Sequence, residues 1–357
     1  VTAHAAADLA RLQEGLPSRA PTTEVILRPE GDRPVAILRP VGAPPRAFVL
    51  QGDDVVELVP RADTQLPAAR LLGDPTELCR ALEPWLGRPS SPQLIAWRPG
   101  RRAVVRLSCG TGAVFVKFLD EKTWTRAAVT FRGLVDAAPP LHFARPAVLI
   151  PELCAYAAAA APGRPLRDVL AAGAAVPRDL VGDLVAAVLA SLRAVPPVPG
   201  TEHHDFDGAR QAAVAMLRKA APLRPALAAL ADAVDAIAPP AHAARGFVHG
   251  DLHDKQIFVA GDAAHLIDLE GVGSGDPTFD LANLAEHLRL RALQQDAGGD
   301  GGAAALLERA GLRGDDERRW RCVVRARLAG VYALRPRWDG LARRLAGETS
   351  ALSSRHG

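Results

Sequence analysis

The stretch Phe247-Val248-His249-Gly250-Asp251-Leu252-His253-Asp254-Lys255-Gln256-Ile257-Phe258-Val259, taken with Leu266-Ile267-Asp268-Leu269-Glu270, decides how the chain is read. Gln256–Val259 and Ala264–Leu269 are short apolar runs on either side of Ala260-Gly261-Asp262. That turn composition between two strand-like runs predicts a hairpin. Asp251, Gln256 and Asp268 then gather at its polar end. A carboxylate and an amide oxygen are hard ligands of the kind that hold Mg²⁺. The other carboxylate can orient an attacking hydroxyl and take its proton. Phosphoryl transfer asks for this combination, with Asp251 as the hydroxyl-orienting base and Gln256 and Asp268 on the metal.

Outward from this segment, the chain divides by pattern. Val25–Leu27, Val35–Leu38, Ala47–Leu50 and Val55–Val59 are apolar runs separated by Pro, Gly and Asp, which predicts a small meander. A helix follows at about 75–87, capped by Asp74 with Pro75 at its first position and Glu77 completing a capping box. Leu94–Trp97, Ala103–Leu107 and Ala113–Leu119 read as three strands, then a helix at 121–135 and a strand at Ala147–Ile150. Beyond Pro165 the pattern is mostly helical, at about 166–173, 178–194, 207–220, 223–237, 281–295, 303–310 and 315–346. A β-rich beginning and a helical end predict an α+β, two-lobed protein.

Lys117 sits in Ala113-Val114-Phe115-Val116-Lys117-Phe118-Leu119, a strand with apolar residues on both faces. A lysine so enclosed needs an anionic partner, and a nucleotide phosphate would serve.

His-x-Asp-(x)4-Gln followed by Ile-Asp resembles the catalytic and metal-binding loops of the aminoglycoside phosphotransferase and choline kinase branch of the protein-kinase-like fold. Gly275-Asp276-Pro277 and Asp280-Leu281-Ala282 match a further stretch of that family. The resemblance covers about residues 92–345. It implies a bilobal fold with a small β-rich N-lobe at 91–153, a helical C-lobe at 154–357, and an unexplained N-terminal extension at 1–90. It implies Asp251 as catalytic base, Gln256 and Asp268 as metal ligands, and Lys117 on the third N-lobe strand as the phosphate-binding lysine. His249 and Asp280 become supports of the catalytic loop. Glu152 and Leu153 fall where the lobes join and the nucleotide base docks. Arg101, in the turn Arg98-Pro99-Gly100-Arg101-Arg102, stands where the family covers the phosphates with a glycine-rich loop. Glu270 is a further candidate for the metal, and His253 for the acceptor pocket. The implied cofactors are Mg²⁺ and ATP or GTP, and the implied partner is a small hydroxylated acceptor. The chain departs from the family in having Gln at 256, usually Asn. It also has a single glutamate, Glu121, in the helix that normally pairs the lysine; either Glu121 serves or that ion pair is absent.

Two other functions use the same residues. His249, Asp251 and His253 alternate along the chain and could hold Zn²⁺ or Mn²⁺ in a hydrolase. A nucleotide-binding pseudokinase acting as an interaction module keeps the fold and loses the chemistry. Composition narrows the remainder. Net charge is +3 over 357 residues, with acids and bases interspersed, which does not suit a nucleic-acid binder. The four cysteines form no CxxC pair and read as reduced thiols. No uncharged run reaches membrane-spanning length, so a cytoplasmic protein is expected.

Overall fold

The computed structural model describes residues 3–17, 23–28, 34–51, 54–110, 112–136, 142–143, 146–171, 183, 186–188, 192, 201–241, 245–261, 263–295 and 314–353. Most of the helix expected at 178–194, and all of that at 303–310, lies outside them.

The chain opens with α1 (Ala3–Glu14) and the antiparallel meander β1 (Glu24–Arg28), β2 (Val35–Arg39), β3 (Arg46–Gln51) and β4 (Asp54–Leu58). Alternation along these strands gives the sheet two apolar faces. Val25, Leu27, Ala36, Leu38 and Phe48 pack on Leu9 and Leu12 of α1. Ile26, Ile37 and Ala47 join a second core with Leu71, Leu82, Trp97 and Phe118. Helix α2 (Pro75–Leu86) is capped as its sequence predicts, Asp74 accepting from the amides of Thr76 at 2.8 Å and Glu77 at 3.0 Å. Glu77 itself turns to Arg70.

Strands β5 (Ser90–Arg98), β6 (Arg102–Cys109) and β7 (Gly112–Leu119) follow, then α3 (Glu121–Asp136), β8 (His142–Phe143), β9 (Pro146–Ile150) and β10 (Ala155–Ala159). Five of them form one sheet in the order β5-β6-β7-β10-β9, with Lys117 on β7 opposite Val104 and Tyr156. Helix α3 lays Trp124, Ala127 and Phe131 against the core under Leu266 and Leu269.

The second half contains β11 (Arg164–Pro165), α4 (Leu166–Ala171), β12 (Glu202–His204), α5 (Phe206–Ala220), α6 (Ala226–Asp235) and β13 (Gly246–Val248). The hairpin β14 (Ile257–Ala260) and β15 (Ala263–Leu266) comes next, then β16 (Gly273–Gly275) and α7 (Thr278–Gln294). Helices α8 (Asp315–Ala333) and α9 (Asp339–Ser353) complete it. Sheets β11-β14-β15-β8 and β12-β16-β13 carry the loops, and Trp320, Leu217, Leu230 and Phe279 centre the helical core beneath them. The expected single helix over 315–346 is two. Proline cannot donate to a helical ladder, and Pro336 opens a short 3-10 turn, Pro336–Trp338, between them. Among the described residues no helix is long and apolar enough to cross a membrane.

Candidate active site

Alternation along β7 turns Lys117 inward, and it is 4% exposed. Its Nζ donates to Asp268 Oδ1 at 2.8 Å and makes a close ion pair with Glu270. Glu270 also accepts from the Tyr156 hydroxyl at 3.0 Å, across the sheet from Lys117. The hairpin delivers Asp268: Ile257 pairs Leu266, and the Ile267 amide donates to the Gln256 carbonyl at 3.1 Å, extending the ladder one step. Asp268 then adopts φ 63°, ψ 50°, a left-handed conformation that aspartate tolerates better than most residues. Gln256 Nε2 donates to Asp268 Oδ2 at 2.9 Å. Burial works to raise the Asp268 carboxyl, but the charges of Lys117 and Arg102 outweigh it and hold it well below the usual carboxylate range. Burial, with Glu270 and Asp268, pushes the Tyr156 phenol well up.

Asp251 lies on the loop before the hairpin, its side chain 55% exposed, with Arg327 at 3.3 Å and His253 Nε2 at 3.9 Å. That loop is held from one helix. Asp280 of α7 accepts from the amides of His249 at 2.6 Å and Gly250 at 3.0 Å. Asn283 Nδ2 donates to the Leu252 carbonyl at 2.8 Å, and Arg291 Nε to Asp254 Oδ2 at 2.7 Å. These residues recur on one face of the helix. Gly250 has φ +83°, and a Cβ there would strike the Gly271 carbonyl and the His204 ring. His249 is buried, its Nε2 on the Ile267 carbonyl at 2.9 Å. Burial raises the Asp280 carboxyl, against the bonds from His249 and Gly250.

Lys117, Gln256, Asp268 and Glu270 are therefore brought together, with Asp251 on the neighbouring loop and His249 and Asp280 bracing that loop. The lysine's second partner is Glu270, not a residue of α3: Glu121 is exposed at the helix start. Arg101 is not brought in. It sits on the turn, exposed, lining a cleft of about 720 Å³ with Asp63, Trp97 and Asp120. Arg102, one residue later and already in β6, is the arginine that approaches, 3.6 Å from Glu270. Glu152 is exposed and Leu153 packs on the core beside it, on the turn Pro151–Leu153; no hydrogen bond or ion pair joins either to the acidic group.

The set His249, Asp251 and His253 does not converge as a metal site, because His249 is turned to Ile267. Among the described residues, the group close enough to share an ion is His253, Asp254 and His287. Burial pushes both imidazoles down, and Arg291, Lys255 and Arg327 charge the surroundings positively, which opposes a cation there. The oxygen donors at the Lys117 end suit a hard cation better: Asp268 and Glu270 supply carboxylates, and Gln256 an amide whose oxygen faces them once the amide is turned over.

Asn283, Arg291, Arg327 and Arg102 were not found from sequence. The first two were legible in principle, as polar residues at helical spacing from Asp280 along α7. Arg327 and Arg102 are signalled by nothing local.

A sequence profile described as phosphotransferase enzyme family matches residues 93–341, well over half of the chain. The chain belongs to the phosphotransferase enzyme family. Solved structures similar to this phosphotransferase include a candidate aminoglycoside phosphotransferase from Ralstonia eutropha JMP134, at 16% identity and a TM-score of 0.54, over 78% of this chain and 98% of that one. Choline kinase LicA from Streptococcus pneumoniae is similar at 11% identity and a TM-score of 0.51, with the same coverage, 78% and 98%. A thermostable mutant of aminoglycoside phosphotransferase APH(4)-Ia, in ternary complex with AMP-PNP and hygromycin B, is similar at 15% identity and a TM-score of 0.51, again over 78% and 98%. At such identities the likeness establishes the fold, α+β and protein-kinase-like, as the sequence predicts. No curated protein matches the chain.

Proposed function

We propose that this phosphotransferase moves the terminal phosphate of ATP or GTP to a hydroxyl of a small molecule. The observation that carries the reading is the meeting of Lys117, from the β-rich lobe, with Asp268 and Glu270, from the end of the hairpin in the helical lobe. A cation and a group of hard oxygen donors face each other across the junction, as a metal-bound polyphosphate requires. Lys117 holds the phosphates, and Gln256 and Asp268, with Glu270 beside them, hold Mg²⁺. The bound metal supplies neutralisation of charge on the phosphate oxygens. Asp251, half-exposed and anchored on a braced loop, orients the acceptor hydroxyl. Its carboxylate takes the proton as the hydroxyl oxygen bonds to the terminal phosphorus and the nucleoside diphosphate leaves.

A second reading, nucleotide binding without transfer, draws on the two carboxylates that occupy Lys117 and on the lack of a helix glutamate beside it. One assay separates them: release of nucleoside diphosphate with ATP or GTP and Mg²⁺ across a panel of hydroxylated small molecules. Asp251→Asn is expected to lower turnover about 10²–10⁴-fold with nucleotide affinity unchanged. Near-normal turnover in that variant would remove Asp251 from the role of base. Nucleotide binding with no turnover on any acceptor would favour the second reading.

A further inference from the structure

Lys117 and Tyr156 stand opposite each other where β7 pairs with β10. Residues directly opposite in an antiparallel pair project from the same face, with Cβ atoms about 5 Å apart. Both side chains are buried, and both reach Glu270 on the turn Leu269–Gly271. They take different oxygens of its carboxylate. Oε1 faces Lys117 and, at 3.6 Å, Arg102, while Oε2 accepts from the Tyr156 hydroxyl at 3.0 Å. A carboxylate held by one oxygen can still turn about its last bond. Held by both from two adjacent strands, it points one way, and the ammonium paired with it is aimed accordingly.

The ring of Tyr156 is fixed in turn by α3. Phe131 meets it edge-on, with ring centroids 4.7 Å apart and an interplanar angle of 62°. This is the helix from which the resemblance expects a glutamate for the lysine, and its glutamate, Glu121, is exposed at the start. The helix therefore bears on Lys117 through an aromatic edge, a phenol and a carboxylate that belongs to the other lobe. A buried tyrosine hydroxyl needs some acceptor. Here the acceptor is the lysine's own partner, which gives the hydroxyl a task beyond packing.

We propose that Tyr156 is a positioning residue for the donor phosphates: its hydroxyl sets Glu270, Glu270 aims Lys117, and Phe131 carries the position of α3 into that chain. This rests on the phosphotransfer reading above, in which Lys117 holds the phosphates.

The test is a mutant cycle on the full chain, read as calorimetric affinity for ATP or GTP with Mg²⁺, whichever nucleotide the wild type binds more tightly. Tyr156→Phe keeps the ring against Phe131 and removes only the hydroxyl. It is expected to weaken nucleotide binding about tenfold, since a hydrogen bond to a charged group is lost. In a Lys117→Met background the same substitution is expected to change affinity by less than about twofold, because the group through which it acts is gone. Glu270→Gln provides a second background with the same expectation, should the methionine variant not fold. A hydroxyl that only braced the fold would weaken binding equally in every background. That outcome would overturn the proposal, as would wild-type affinity in Tyr156→Phe. The matching nucleoside, which has no phosphates, is expected to bind the wild type and Tyr156→Phe alike, and an equal loss for nucleoside and nucleotide would also overturn it. Failure of the wild type to bind either nucleotide would instead overturn the phosphotransfer reading, and the proposal with it.

Discussion

Lys255, half-buried, and Asp280, buried, lie on either side of the same loop, and they behave oppositely. The folded Lys255 holds its proton less tightly than an unfolded lysine does, its value pushed down to about 8. Between there and the ordinary lysine range the unfolded chain binds more protons, so stability rises with pH across that window. Lys255→Met is expected to raise stability at pH 7 by up to about 2 kcal/mol, and the gain should vanish near pH 10, measured by urea unfolding at both pH values. Asp280 accepts two amides of the loop. Asp280→Ala leaves both without a partner and should cost about 2–5 kcal/mol, read as a fall in the urea midpoint, with transfer activity falling as the loop loosens. Some of this was legible residue by residue. Apolar residues on both faces of its strand put Lys117 inside, and the spacing of Asp251, Gln256 and Asp268 named the acidic end. Arg102 was not legible, because the sequence does not mark where the turn ends and β6 begins, and the expectation names Arg101. Glu270 as the partner of Lys117 depends on the register of a hairpin against a distant sheet.

Helix α7 organises the site, and it is itself fixed to α8 through charge. Glu286 is buried and accepts from Arg325 Nε and Nη2, each at 2.8 Å, and from Arg321 Nε at 2.7 Å. Burial works to raise its carboxyl, but the hydrogen bonds and charges of Arg325 and Arg321 outweigh it and hold it below the ordinary value. Its contribution is present above the usual glutamate range, near 4, and is lost as pH falls through the lower folded value. Glu286→Gln is expected to cost about 3–5 kcal/mol at neutral pH, because it leaves the buried Arg325 guanidinium without its carboxylate and Arg321 with Glu317 alone. In thermal unfolding the gap between variant and wild type should narrow below pH 4. Element existence was well marked in the sequence: a cap announced α2, and apolar spacing α3, α5 and α7. The extent of α8 was not, because its apolar spacing runs on past Pro336 into α9, and only the missing amide of that proline separates them.

At the level of the whole molecule, the N-terminal extension touches both lobes. Asp63 Oδ2 accepts from the Trp97 indole at 3.1 Å and from the Gly100 amide at 2.9 Å, which fixes the turn between β5 and β6, where the resemblance expects the cover over the phosphates. Asp63→Ala strands a buried indole N–H and is expected to cost about 1–3 kcal/mol. It should also weaken nucleotide binding, measured by ATP titration alongside thermal unfolding. The meander of this extension could be read from alternation and turn residues. Its docking could not, because the contacts join opposite ends of the chain: the Leu27 amide donates to the Leu334 carbonyl at 2.8 Å, and Glu24 pairs with Arg335. Those two attachments make the opening segment a tether. Leu27 is tied to the helical lobe and Asp63 to the turn at the lip of the sheet lobe. The lobes can therefore part only as far as the slack between these anchors permits. Under the proposed transfer, departure of spent nucleotide would be geared to a piece of chain outside the reacting groups, and changes in that piece would retime each cycle while every reacting group stays in place.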